Sequence, residues 1–185
     1  HFCQHFFAEI LICLYRIIFL LFAEQKGMLP GRNSLYFDEY SITALSQKAM
    51  EKYSHKDYYH IDLWEGLKVT FKMVKQGVSE LGIFGYDGML FDEEKTAILN
   101  NLTCPNGILL EVIRYLTTTE KEGVLQRISY ADLSVEEIGS IYESLLDYTP
   151  RVTKEPEKLN NRYIPANTFF LDHRGSARKT TGSYY

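Results

Sequence analysis

A chain of 185 residues with 45% hydrophobic side chains is long enough for one packed domain, or one domain with an appendage, and composition alone excludes an unfoldable polar polymer. The formal charge of -4 is unevenly spread: from Arg151 onward there are seven Lys/Arg against three Asp/Glu, and before it thirteen against twenty-one. An acidic body makes poor primary contact with phosphates, whereas the basic tail suits either such a contact or, more commonly, a solvated terminus.

Cys3, Cys13 and Cys104 form neither a close pair nor a metal-type spacing, which excludes a disulfide framework and suits buried thiols in a reducing cytosol. The chain opens on His1 rather than Met and stops at Tyr185 directly after GSYY. It is therefore expected to be a piece of a longer polypeptide.

Residues 6–23 (FFAEILICLYRIIFLLFA) are the most apolar stretch. Glu9 and Arg16 interrupt it, so no uncharged run of about 20 residues exists, and a buried helix is expected in place of a membrane span. It also lacks the basic start and small-residue cleavage site of a secretory signal. The helix should stop near Gly27, with Pro30 and Gly31 in the turn that follows.

Between residues 34 and 58, Ile42, Leu45, Ala49 and Met50 indicate a modest connecting helix. Residues 57–77 predict a stronger one, with Leu63, Trp64, Leu67, Phe71 and Val74 on one face and Lys68, Lys72 and Lys75 on the other. Three lysines on one face suit a solvated surface or a DNA contact. His55 and His60, beside Asp57 and Asp62, invite a metal reading, but no further Cys or His supports it and no metal is expected.

Residues 82–88 (GIFGYDG) predict a loop anchored to the body by Phe84, Tyr86 and Phe91. They lack the Walker lysine and the preceding apolar strand of a phosphate cradle. Pro105 should open a helix carrying Ile108, Leu109, Val112, Ile113 and Leu116, ending among residues 117–119, since proline at the first helical position has no amide to satisfy. A short linker follows.

Residues 128–148 (ISYADLSVEEIGSIYESLLDY) carry the clearest local signals, and the rest of the chain is expected to pack around them or lead away. Ser134 and Glu137 stand at capping-box spacing, with Leu133 and Ile138 at staple spacing. Glu136 and Glu137 sit in the first turn, where the helix dipole favours negative charge. Val135, Ile138, Ile141, Tyr142, Leu145 and Leu146 line one face. Gly139, unfavourable inside a helix, suggests a close helix contact.

After Tyr148 the texture becomes that of a long loop, with Pro150, Pro156, Pro165, Asn160, Asn161, Lys154 and Lys158. Residues 168–171 (TFFL) suggest a short strand. The fold expected is mainly α: a bundle-like helical spacer over 1–149, then, over 150–185, an irregular or β tail of loop leading into a further domain.

Four segments, LYRIIFLLFAEQKGMLP, GIFGYDGMLF, DLSVEEIGSIYESLLDY and RKTTGSYY, occur in one order and at spacings that resemble the region preceding the methyltransferase domain of single-chain type IIG restriction-modification enzymes. The related phage-exclusion (BREX-type) adenine-specific DNA methyltransferases share that organisation. Type I modification subunits carry a similar GxxYE helix followed by a Gly-aromatic-aromatic-Thr-Pro segment. The resemblance spans nearly the whole chain.

It implies a prokaryotic, cytoplasmic parent enzyme that transfers a methyl group from S-adenosylmethionine to adenine in double-stranded DNA. Gly182, Ser183, Tyr184 and Tyr185 match the first half of the segment that helps hold the cofactor, without its Thr-Pro. Ile138, Gly139, Tyr142 and Glu143 match helix positions assigned to packing. Neither the glycine-rich cofactor loop nor the Asn-Pro-Pro-aromatic motif that stacks a flipped base is in this chain, so the piece alone is expected to be inert and to bind no cofactor. A nuclease domain, in single-chain enzymes that carry one, precedes this region. The implied partners are duplex DNA and adjacent methyltransferase and nuclease domains of the same chain, with no membrane. Arg174, Arg178 and Lys179 are the candidate DNA contacts. Two other classes stay open: a helical protein-interaction module with no tie to nucleic acid, and a membrane-anchored protein.

Overall fold

The computed structural model describes residues 2–51, 57–159 and 162–173. The chain is mainly α, with short antiparallel strand pairs toward its C-terminus, as the sequence predicts. It forms two compact units. One comprises Ile12–Leu133 and the other His1–Leu11 with Ser134–Tyr185.

Helix α1 (Phe2–Gln25) begins earlier and ends later than its apolar run. It stops where the Gly27 amide donates to the Glu24 carbonyl and the Met28 amide to that of Ala23, with Gly27 at φ 71°. That pairing satisfies the last carbonyls and needs a left-handed residue, which glycine provides without strain. Within the larger unit Ile17, Ile18, Leu20, Leu21 and Ala23 are buried, so α1 supplies the core.

Helix α2 (Ile42–Lys48) is capped by Ser41, whose hydroxyl accepts from the Ala44 amide, and a π-helical turn (Tyr36–Tyr40) precedes it. Helix α3 (Asp62–Gln76) buries Trp64, Leu67, Thr70, Phe71 and Val74, close to the face predicted. It starts at Asp62 and not at Asp57, because the 57–60 turn is used otherwise. The carbonyls of Tyr58 and His60 accept from the Gly107 and Asn106 amides and so cap α5 (Asn106–Thr117). Asn106 ties both starts together, accepting from the Leu63 amide and donating to Asp62.

Pro105 stands just before α5. The buried face there is Leu109, Leu110, Ile113 and Thr117, rotated from the predicted stripe so that Ile108 is exposed. A one-turn helix α4 (Ala97–Asn100) lies between α3 and α5.

The linker after α5 is a β-hairpin, β1 (Thr118–Lys121) paired with β2 (Val124–Arg127). Its turn residues Glu122 and Gly123 both have positive φ, the requirement of a tight two-residue hairpin turn. Almost every strand residue is exposed, so no apolar alternation advertised the hairpin in the sequence.

Helix α6 (Val135–Leu146) has the predicted capping box, the Ser134 hydroxyl accepting from the Glu137 amide and the Glu137 carboxylate from the Ser134 amide. It is not the element around which the chain is organised. None of its residues with a described side chain is buried, and among the described residues a Cβ on Gly139 would meet nothing within 4 Å, so none of them makes the close helix contact expected there.

The predicted long loop after Tyr148 is largely strand. β3 (Tyr148–Val152) pairs antiparallel with β6 (Phe169–His173), and β4 (Glu157–Leu159) with β5 (Arg162–Ile164). Phe6 of α1 packs edge-on against Phe169 in this unit. The buried Thr153 hydroxyl donates to the Pro165 carbonyl and accepts from the Thr168 amide, closing the β3–β6 loop.

Candidate functional site

The residues singled out by sequence for chemistry cluster at the end of the chain. Arg174, Arg178 and Lys179, and the cofactor-matching Gly182, Ser183, Tyr184 and Tyr185, lie outside the described residues. So does His55. His60 faces Asp57 at 3.8 Å on the surface, while Asp62 is engaged by Asn106. Among the described residues no group of three or more His, Cys, Asp or Glu is arranged to hold a metal.

The three lysines of α3 are not simply solvated. Lys68 pairs with Glu65 at 2.8 Å, Lys72 with Glu93 at 3.8 Å, and Lys75 with Asp92 at 2.7 Å and Asp87 at 3.8 Å. Lys68 and Lys75 also donate to the carbonyls of Asn100 and Gly88 at 3.3 Å. The Asp92 bond raises the Lys75 ammonium and lowers the Asp92 carboxyl from their ordinary values. Each of the three lysines thus has a carboxylate within 4 Å, which lowers the net positive charge that this face offers a polyanion.

Two charged residues of α1 do more than the sequence indicated. Arg16, buried among apolar neighbours, donates from Nε to the Leu90 carbonyl at 2.7 Å, from Nη2 to the Asp92 carbonyl at 2.7 Å and from Nη1 to the Thr96 hydroxyl at 2.9 Å. Its guanidinium lies 5.4 Å from the Phe71 ring centroid and 5.9 Å from that of Phe91, within cation–π range. Glu24 accepts from the Tyr36 hydroxyl at 2.7 Å, the Ile42 amide at 2.8 Å, and the amide and hydroxyl of Thr43 at 2.9 and 2.7 Å. It thus sits on the N-terminus of α2, where the orphan amides and the dipole both favour a carboxylate. Burial raises its carboxyl above the ordinary range, against the pull of those four donors.

The signal for Arg16 was present in the sequence. A charge inside an apolar helical run needs buried partners as much as it argues against a span.

Of the loop aromatics, Tyr86 and Phe91 pack edge-on against Phe19, but Phe84 is 82% exposed and anchors nothing. The Cys13 thiol is pushed up to about 12 by burial, which keeps it protonated and unreactive. Helix α1 is long and apolar enough to cross a membrane by length and composition, and half of its most apolar window is buried within the protein. A groove of about 190 Å³ runs between the π-helical turn, α2 and α3, lined by Asp38, Glu39, Ser41, Lys48 and Asp62. These arrangements hold backbone together; none brings a nucleophile against a base.

No protein family, curated protein or solved structure matches this chain.

Proposed function

We propose that the chain is the helical connector preceding the methyltransferase domain of a single-chain, S-adenosylmethionine-dependent, adenine-specific DNA-modifying enzyme of the restriction-modification type, and that it works by rigid placement of that domain on DNA. The observation that carries the reading is a junction between two of the four resembling segments. LYRIIFLLFAEQKGMLP and GIFGYDGMLF lie far apart in sequence, yet Arg16 of the first donates to the Leu90 carbonyl of the second, Tyr86 of the second donates to the Met28 carbonyl of the first, and Phe19 packs on Tyr86 and Phe91. Segments that resemble one family together also fold together, which supports reading them as one inherited unit.

With the α3 lysines matched internally, duplex contact falls to Arg174, Arg178 and Lys179, whose role is positioning on the phosphate backbone without sequence readout. The test is the full-length enzyme. Its reading frame beyond Tyr185 should supply Thr-Pro, a glycine-rich loop and Asn-Pro-Pro-aromatic, and the protein should transfer labelled methyl groups to duplex DNA. A continuation with no methyl-donor fold overturns the proposal and leaves a helical interaction module. Replacing the three basic residues with Ala should weaken duplex binding and flatten its salt dependence by roughly one phosphate contact each; an unchanged slope removes them from the interface.

A further inference from the structure

We infer that residues 86–102 form a strap that opens from α1 and α3 as a unit, below the threshold of global unfolding, with Arg16 as its latch. The strap is built only of short 3₁₀ turns (Met89–Phe91 and Glu93–Thr96) and the single turn α4, whose amide bonds close locally. One backbone bond joins its start to α3, the Tyr86 amide to the Val74 carbonyl at 2.9 Å. Beyond that point the strap is gripped by side chains. From α1 comes the three-pronged Arg16 grip on Leu90, Asp92 and Thr96. From α3 come Lys75 to Gly88 and Asp92, Lys72 to Glu93, Lys68 to Asn100, and the Trp64 indole to the Leu102 carbonyl at 2.9 Å.

Apolar burial in the strap is thin. Phe91, packed on Phe19 and Phe71, is its one fully buried apolar side chain; Tyr86, Leu90, Ile98 and Leu99 are half-buried, Met89 is 74% exposed, and Asp87, Gly88, Glu93, Glu94 and Lys95 all face solvent. Segments with few buried apolar contacts and locally closed backbone bonds occupy the low end of a protein's opening free energies. The latch has the same character. A guanidinium held by two carbonyls and a hydroxyl regains full hydration when the strap lifts, which offsets part of the bonds lost. The near end stays fixed, because Gly77 and Gly85 cross so closely that a Cβ on Gly77 would stand 2.7 Å from the Gly85 nitrogen. The strap therefore hinges there and releases at Arg16, uncovering Phe71 and Trp64.

The chain contains one tryptophan, and it reports the strap directly. Native-state hydrogen exchange of the wild-type chain should show the amides of Lys95, Asn101 and Leu102 exchanging well ahead of α3 and α5 amides, and with a smaller denaturant dependence. Arg16→Met, which keeps a long side chain between the two phenylalanines, should raise strap exchange at least roughly tenfold. It should also shift Trp64 emission to the red at unchanged helical circular dichroism. Should Arg16→Met unfold the whole chain, Lys75→Met, at the surface, supplies the same reading by raising strap exchange alone. Strap amides that exchange only with global unfolding, or a Lys75→Met variant that moves strap, α3 and α5 amides equally, overturn the inference.

Discussion

Glu24 takes two hydrogen bonds from Thr43, one from its amide at 2.9 Å and one from its hydroxyl at 2.7 Å, on the same carboxylate oxygen. The other oxygen serves Tyr36 and the Ile42 amide. Each oxygen thus faces one hydroxyl, which can rotate and accept, and one amide, which can only donate. Glu24→Gln places an NH2 against one of the two amides whichever way it is turned. The expected loss is about 1–3 kcal/mol, the cost of one orphaned buried donor. Thr43→Val, which removes only a hydroxyl, should cost less. Urea titrations of the two variants check the order.

Gly107 offers a case where the sign of a substitution reverses with context. A Cβ there would fall 2.0 Å from the Tyr58 ring, and that ring belongs to the turn whose carbonyls cap α5. Gly107→Ala in the wild-type chain should destabilise. In a Tyr58→Ala background the clash is gone and alanine's helix preference over glycine, up to about 1 kcal/mol, should appear as stabilisation. A double-mutant cycle measures this; additivity of the two substitutions would refute the contact.

Gly139 lies at the opposite extreme. It is inside α6 with no described residue near its missing Cβ, so Gly139→Ala should raise stability of the isolated chain by about 0.5–1 kcal/mol. Thermal melts followed at 222 nm test this, and a loss of stability would mean that this face of α6 is covered.

The contrast between these glycines shows what was legible in the sequence. Helical spacing located α1, α3, α5 and α6, and the Ser134–Glu137 box fixed one start to the residue, because both are local properties. Which helix forms the core was not local. The 128–148 segment carries the strongest local signals although no α6 residue with a described side chain is buried, and a helix so placed depends on its own caps. The β1–β2 hairpin and strand β3 left no such mark, because Tyr148 meets His173 only after the chain returns and no alternation marks exposed strands, whereas the strand expected at 168–171 is the start of β6. Arg16 reads in the sequence as an interruption of an apolar run, and Glu24 lies just past the end of that run with no signal of its own, whereas each is the centre of a buried bonding set. The residues proposed for cofactor and DNA lie in 174–185, outside the described residues, and rest on the sequence alone.

Acid should loosen the chain at three named places. The Ser134 amide and hydroxyl hold Glu137 below its ordinary value, the Lys75 ammonium does so for Asp92, and the Arg151 guanidinium for Glu157. A carboxyl depressed in the folded state contributes stability that is present above its unfolded pKa and disappears as pH falls through the folded one. Glu24 has the opposite sign, since burial raises it; its contribution is present below the unfolded value and is lost as pH rises through the folded one. Urea midpoints taken from pH 7 down to 3 should therefore fall, and should fall more steeply in Glu24→Gln, where the opposing group is gone. Equal slopes in the two proteins would remove Glu24 from the account.

Arg151 is the remaining test, and it separates charge from geometry. Its two terminal nitrogens each meet one Glu157 oxygen at 2.7 Å, its Nε bonds Asp172 across the β3–β6 pair, and its guanidinium lies 5.1 Å from the Phe170 ring centroid. A lysine keeps the charge but cannot fork to one carboxylate while reaching a second through Nε. Arg151→Lys should therefore behave nearly as badly as Arg151→Met in hydrogen exchange of the β3 and β6 amides, with α5 amides unaffected in both. If lysine restores wild-type protection, simple charge neutralisation of Glu157 and Asp172 holds the strands together, and the planar fork has no part in it.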